Sequence, residues 1–95
     1  MSTETFTRVV TVTNPHGLHA RPANAIVKTV RKYDAQVTIH KGGQIADATS
    51  IFDLMSLGAT QGTELLLSAK GRQAEDAIEA LAQQFDAEFG IEYKE

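Results

Sequence analysis

Apolar positions along the chain switch between a period of two and helical spacing, and each switch predicts an element. Thr5 to Thr13 is rich in Thr and Val, with Phe6, Val10 and Val12 at even spacing, which predicts a strand. Asn14-Pro15-His16-Gly17 breaks it. From Ala20 to Tyr33 the apolar residues Ala23, Ile26, Val27 and Val30 fall at i, i+3, i+4 and i+7, while Arg21, Lys28 and Lys32 take another face. That spacing predicts an amphipathic helix starting near His19, and Pro22 fits its first turn, where a missing N–H costs no hydrogen bond. Val37 and Ile39 alternate with Gln36, Thr38 and His40 in a short strand, and Lys41-Gly42-Gly43-Gln44 predicts a hairpin into Ile45 and Ala46. Ser50 to Leu57 returns to helical spacing, with Gly58 as its C-terminal stop. After a turn at Gln61-Gly62, Thr63 to Ala69 predicts a strand, and Ala74, Ala77, Ile78, Leu81 and Phe85 trace a last helix.

The order βαββαβα predicts an α+β fold: a two-layer, open-faced sandwich with the helices on one face of a four-stranded antiparallel sheet. A hairpin pairs strands 2 and 3, and the crossover through the first helix lets strands 1 and 2 run parallel with strand 4 between them. The expected sheet order is 1-4-2-3. In the short second helix a 100° wheel puts Leu54 and Leu57 on one arc and Ile51, Phe52 and Met55 on another. Both arcs cannot reach one core, so one stays exposed as a partner surface. Ser50 with Asp53 reads as a capping box in which the carboxylate accepts the cap's own N–H.

Composition narrows the function classes. With 95 residues, 42% hydrophobic and 22% charged, the chain is one globular domain whose small core leaves little room for a deep cavity. It has no cysteine, hence no disulfide, thiol nucleophile or zinc ribbon. A net charge of -3 disfavours nucleic-acid binding. No apolar run approaches a membrane span, and Met1-Ser2-Thr3-Glu4 lacks the features of a signal peptide, so a cytoplasmic chain without membrane insertion is expected. Charge is nevertheless segregated. No acid lies between Glu4 and Asp34, where Arg8, Arg21, Lys28, Arg31 and Lys32 fall, whereas the end of the chain from Gln73 is strongly acidic. The basic stretch suits anionic ligands or acidic partners.

Gly17-Leu18-His19-Ala20-Arg21-Pro22 sets an imidazole at a helix start with a guanidinium two residues on. First-turn N–H groups and the positive end of the helix dipole attract phosphate, and Arg21 adds a charge-assisted fork. Neutral histidine is a competent nucleophile, and the same surroundings disfavour its protonated form. The alternatives are a capping or partly buried His19 beside a solvated Arg21, or a His16–His19 metal pair. The last would leave only His40 as a further histidine, short of the usual three or four ligands, so no metal or other cofactor is expected.

Gly17-Leu18-His19-Ala20-Arg21-Pro22-Ala23 resembles the active-site signature of the HPr family, histidine-containing phosphocarriers of the bacterial phosphoenolpyruvate-dependent sugar phosphotransferase system. Ser50 to Gly58 resembles the family's regulatory-serine segment, and Thr60-Gln61-Gly62-Thr63 the turn after it. The resemblance covers about residues 5 to 88 of a single domain spanning 1–95, with short terminal extensions. It implies that His19 takes a phosphoryl group on Nδ1 from enzyme I and passes it to the IIA domain of a sugar permease. Arg21 and the backbone N–H groups of Ala20 and Arg21 would hold the phosphoryl oxygens. Such a chain is a monomeric carrier rather than an independent catalyst. It further implies phosphorylation of Ser50 by HPr kinase/phosphorylase, and docking through Ile51, Phe52 and Met55 together with Lys28 of the first helix. Departures from the family pattern are His16 where asparagine is frequent, Asn24 in place of a small residue, Thr49 where lysine is usual, and Asp53. A regulatory protein acting through Ser50 or partner contact, and a carrier in a nitrogen-regulation branch, are the competing functions. An intact His19 and Arg21 favour the sugar-system carrier.

Overall fold

Side-chain alternation in the strand Glu64–Lys70 divides the molecule into its layers: Leu65, Leu67 and Ala69 are buried, while Glu64, Leu66, Ser68 and Lys70 point away from the core. The computed structural model describes residues 4–91. Its elements are β1 (Thr5–Thr11), α1 (Ala20–Val30), β2 (Gln36–Lys41), β3 (Gln44–Asp47), α2 (Ile51–Ser56), β4 (Glu64–Lys70) and α3 (Ala74–Asp86), followed by a 3-10 turn at Glu88–Gly90. The sheet order is β1-β4-β2-β3, with all neighbours antiparallel, so β1 and β2 run parallel on either side of β4. This is the predicted open-faced sandwich. Met1–Thr3, part of the signal-peptide reading, and most of the C-terminal extension lie outside the described residues.

Register carries the inward pattern across the strands. Leu67 pairs with Arg8 and Ile39, and Ile39 with Ala46, whereas the row one residue away, Val9–Leu66–His40–Ile45, lies on the uncovered face. The core joins Ile39, Leu65 and Leu67 of the sheet to Ile26 and Val30 of α1, Leu54 of α2, and Leu81 and Phe85 of α3. Helix α3 lies over β1 and β4, while α1 packs against both α2 and α3.

Two boundaries differ from the periodicity. The β1 ladder stops at Thr11, although Val12 stays tied to the Thr60–Thr63 turn, donating to the Thr63 carbonyl at 2.9 Å and accepting from Gly62 N–H at 2.8 Å. Helix α1 ends at Val30 instead of Tyr33. Lys32 and Tyr33 make tighter bonds to the carbonyls three residues back, and Asp34 is drawn to the β4–α3 turn, where its backbone exchanges hydrogen bonds with Gln73. Among the described residues no helix is long and apolar enough to cross a membrane.

Candidate functional site

The start of α1 offers donors without a capping acceptor. His19 is the N-cap, in extended conformation at φ -82° and ψ -169°; its carbonyl accepts the Ala23 N–H at 3.1 Å, and its side chain makes no cap hydrogen bond. The imidazole is therefore not a capping group, although it is half-buried beside an exposed Arg21. Ala20 and Arg21 are exposed, and their N–H groups belong to the first turn, where an α-helix has no internal acceptor. Pro22 brings no donor, and the first turn holds no acid. An anion at this end would meet two backbone donors, the helix dipole and the Arg21 guanidinium.

The loop that presents His19 is fixed from below and from the side. Asn14 is fully buried, its side-chain amide Nδ2 donating to the Gly17 carbonyl while its backbone carbonyl accepts the Gly17 N–H. Gly17 has φ +65°, and a Cβ there would stand 2.2 Å from the Ala59 carbonyl oxygen, which accepts the Leu18 N–H at 3.0 Å. Gln61 adds a bond from its side-chain amide to the Thr13 carbonyl at 3.0 Å. Asn14 and Gln61 were not singled out by sequence reasoning. For Asn14 a signal existed, since asparagine at a turn tends to bond the backbone a few residues on.

Burial is the largest influence holding the His19 pKa below the ordinary histidine value, followed by the nearby His16 ring and then Arg21. The two rings meet edge to face, with centroids 5.8 Å apart and planes at 89°. Sequence reasoning put the lowering on the helix end and Arg21, whereas burial and His16 rank ahead of Arg21. A histidine whose native pKa is depressed adds no destabilisation above its unfolded value of about 6.5. Stability is then lost as pH falls from that value toward the native one, because the unfolded chain binds the proton first. An NMR titration should give His19 a midpoint below about 6.5, and a midpoint above it would contradict the geometry.

Helix α2 is built differently from its predicted capping box. Ser50 caps it, with Oγ accepting the Asp53 N–H at 3.1 Å. The reciprocal bond is absent, because the Ser50 N–H already donates to the Asp47 carbonyl, and the Asp53 carboxylate accepts the Asp47 N–H instead. Leu54 and Leu57 are buried, whereas Ile51, Phe52 and Met55 are 38%, 80% and 45% exposed. The Leu54–Leu57 arc thus faces the core, and the other arc faces solvent. On α1, Arg21 and Lys28 are exposed, so the basic residues and the apolar arc lie on two helices in contact. Ser50 stands at the opposite end of α2 from the Gly58–Ala59 segment that touches the His19 loop.

Comparison with known proteins finds the same pattern over most of the chain. The family description "PTS HPr component phosphorylation site" matches residues 6–87. A phosphocarrier protein HPr from Vibrio cholerae is 40% identical over 81 residues, covering 85% of this chain and 95% of the relative. The crystal structure of an HPr from Thermoanaerobacter tengcongensis is similar with a TM-score of 0.87 and 39% identity, covering 93% of this chain and 99% of that one. The Bacillus subtilis catabolite repression protein Crh, crystallised as a swapped dimer, is similar with a TM-score of 0.71 and 38% identity, covering 83% and 91% of the two chains.

Proposed function

The chain belongs to the HPr family of phosphotransferase-system phosphocarriers, and from that premise we propose that His19 accepts a phosphoryl group from phosphorylated enzyme I and delivers it to the IIA domain of a sugar permease. The lone pair of neutral Nδ1 attacks phosphorus, and the bond from phosphorus to the donor breaks, its electron pair staying on the donor. The developing charge lies on the phosphoryl oxygens, where the N–H groups of Ala20 and Arg21 and the Arg21 guanidinium stabilise it. Helix-end stabilisation of about 0.3 to 2 kcal/mol biases the site without trapping the group, so onward transfer remains feasible.

The observation carrying this reading is the juxtaposition of an open helix start, exposed Arg21 and an imidazole biased toward its neutral form. Incubation with phosphoenolpyruvate and enzyme I tests it. One acid-labile phosphoryl group per chain is expected, and no label under conditions that load an authentic HPr would overturn the reading. A second, regulatory reading through Ser50 is supported by the likeness to Crh. It requires an acid-stable phosphate from HPr kinase, on a hydroxyl that caps α2 and is flanked by Asp47 and Asp53.

Ile51, Phe52 and Met55, beside Lys28 and Arg21, form the docking face in this proposal. Apolar contacts at the centre of an interface contribute about 1 to 2 kcal/mol or more, whereas surface truncations usually change folding stability by about 0.5 kcal/mol or less. Phe52→Ala and Met55→Ala should therefore raise the KM for enzyme I roughly five- to thirtyfold, with melting temperatures close to the parent. Melts that collapse while transfer per folded molecule is unchanged would assign these side chains to the core.

A further inference from the structure

Lys41 ends β2 just before the hairpin, and its half-buried side chain reaches across to α2, where Nζ donates to the Leu57 carbonyl at 2.8 Å. Leu57 is the C-cap of a six-residue helix that has no basic residue in its last turn. So short a helix is unstable alone, and a cation at its terminal carbonyls complements the dipole. Lys41 supplies from a different element what α2 lacks in its own sequence.

The clamp has consequences on both sides of Leu57. Before it lies the exposed arc of Ile51, Phe52 and Met55, whose presentation depends on α2 being wound and seated. After it the chain turns at Gly58, with φ +61°, and Ala59 is buried with its carbonyl on the Leu18 N–H, one residue before His19. Leu57-Gly58-Ala59 therefore joins one ammonium to the candidate docking face and to the phosphoryl site.

We infer that Lys41 is a positioning residue for phosphoryl transfer, which clamps the C-terminal end of α2 and, through Gly58 and Ala59, holds the His19 loop in register with the docking face. This rests on the phosphocarrier reading above. Lys41→Met keeps most of the aliphatic stem and removes the donor. It should lower kcat/KM with phosphorylated enzyme I by about tenfold, corresponding to about 1.4 kcal/mol, mostly as a rise in KM. Amide hydrogen exchange at Leu18 should accelerate by a similar factor under conditions where the global fold is intact. Lys41→Arg, which can reach the same carbonyl, should restore both readouts to within about threefold, and Lys70→Met, an equal loss of charge on the uncovered sheet face, should change neither.

Unchanged KM and unchanged Leu18 exchange in Lys41→Met would overturn the inference, as would a loss that Lys70→Met reproduces. If the parent chain takes up no phosphoryl group, the phosphocarrier reading fails by itself. Leu18 exchange still decides whether the clamp holds the loop.

Discussion

His19→Ala is expected to fold like its parent and to accept no phosphoryl group. Folding should survive because the imidazole makes no cap hydrogen bond, the helix start retains Pro22 and the His19-position carbonyl bond to Ala23, and Ala23, Ile26, Val27 and Val30 still drive α1 into the core. A stability change within about 1 kcal/mol is expected, because the side chain is only half-buried and lies outside the core. Loss of acceptance should be complete, because neither remaining histidine is placed to substitute. His16 lies in the preceding loop, with its ring centroid 5.8 Å from that of His19, and not at the N-cap. His40 is on the uncovered sheet face, where Nε2 is 3.0 Å from the Thr38 hydroxyl. Label retained in His19→Ala and lost in His16→Ala would move the acceptor and overturn the assignment. Circular dichroism of the unlabelled variant separates loss of the nucleophile from loss of the fold.

Much of this arrangement could be read from the chain because it rests on local rules. The start of α1 follows from the Ala23–Val30 periodicity and the tolerance for Pro22 in a first turn. The sheet order follows from a two-residue hairpin and a crossover helix, which leave few topologies. The α2 wheel separated Leu54 and Leu57 from Phe52 and Met55, but only packing against α1 and β3 decides which arc is buried. Periodicity reports which side of an element meets the core, not which carbonyl a polar side chain finds. The contact of Lys41 with Leu57 spans 16 residues and that of Gln61 with Thr13 spans 48, so neither has a local signature. Only the forward half of the capping box formed, and here the competitor is itself local, three residues back. Ser-x-x-Asp is a local pattern, but the Asp47 carbonyl took the Ser50 N–H first.

Gly17→Ala is expected to be the most damaging single methyl in the site. L-residues other than glycine resist φ +65°, at a cost of about 1 to 2 kcal/mol. The new Cβ would also stand 2.2 Å from the Ala59 carbonyl oxygen, well inside contact distance. Relief requires the two loops to part, yet Ala59 is buried and follows the left-handed Gly58, so it cannot simply withdraw. Parting them breaks the Leu18–Ala59 bond and strands a buried donor and acceptor, adding about 1 to 3 kcal/mol. The combined loss of about 2 to 5 kcal/mol should lower the melting temperature by roughly 10 °C or more for a domain of this size. Well below that melt, phosphoryl acceptance should fall as well, since Leu18 no longer anchors His19 against the α2–β4 loop. Gly43→Ala is the matched control, because a Cβ there meets nothing within 4 Å and its φ lies outside the left-handed range. Equal melting temperatures for the two variants would show that the loops are not in contact at Gly17, and the support proposed for His19 would have to come from elsewhere.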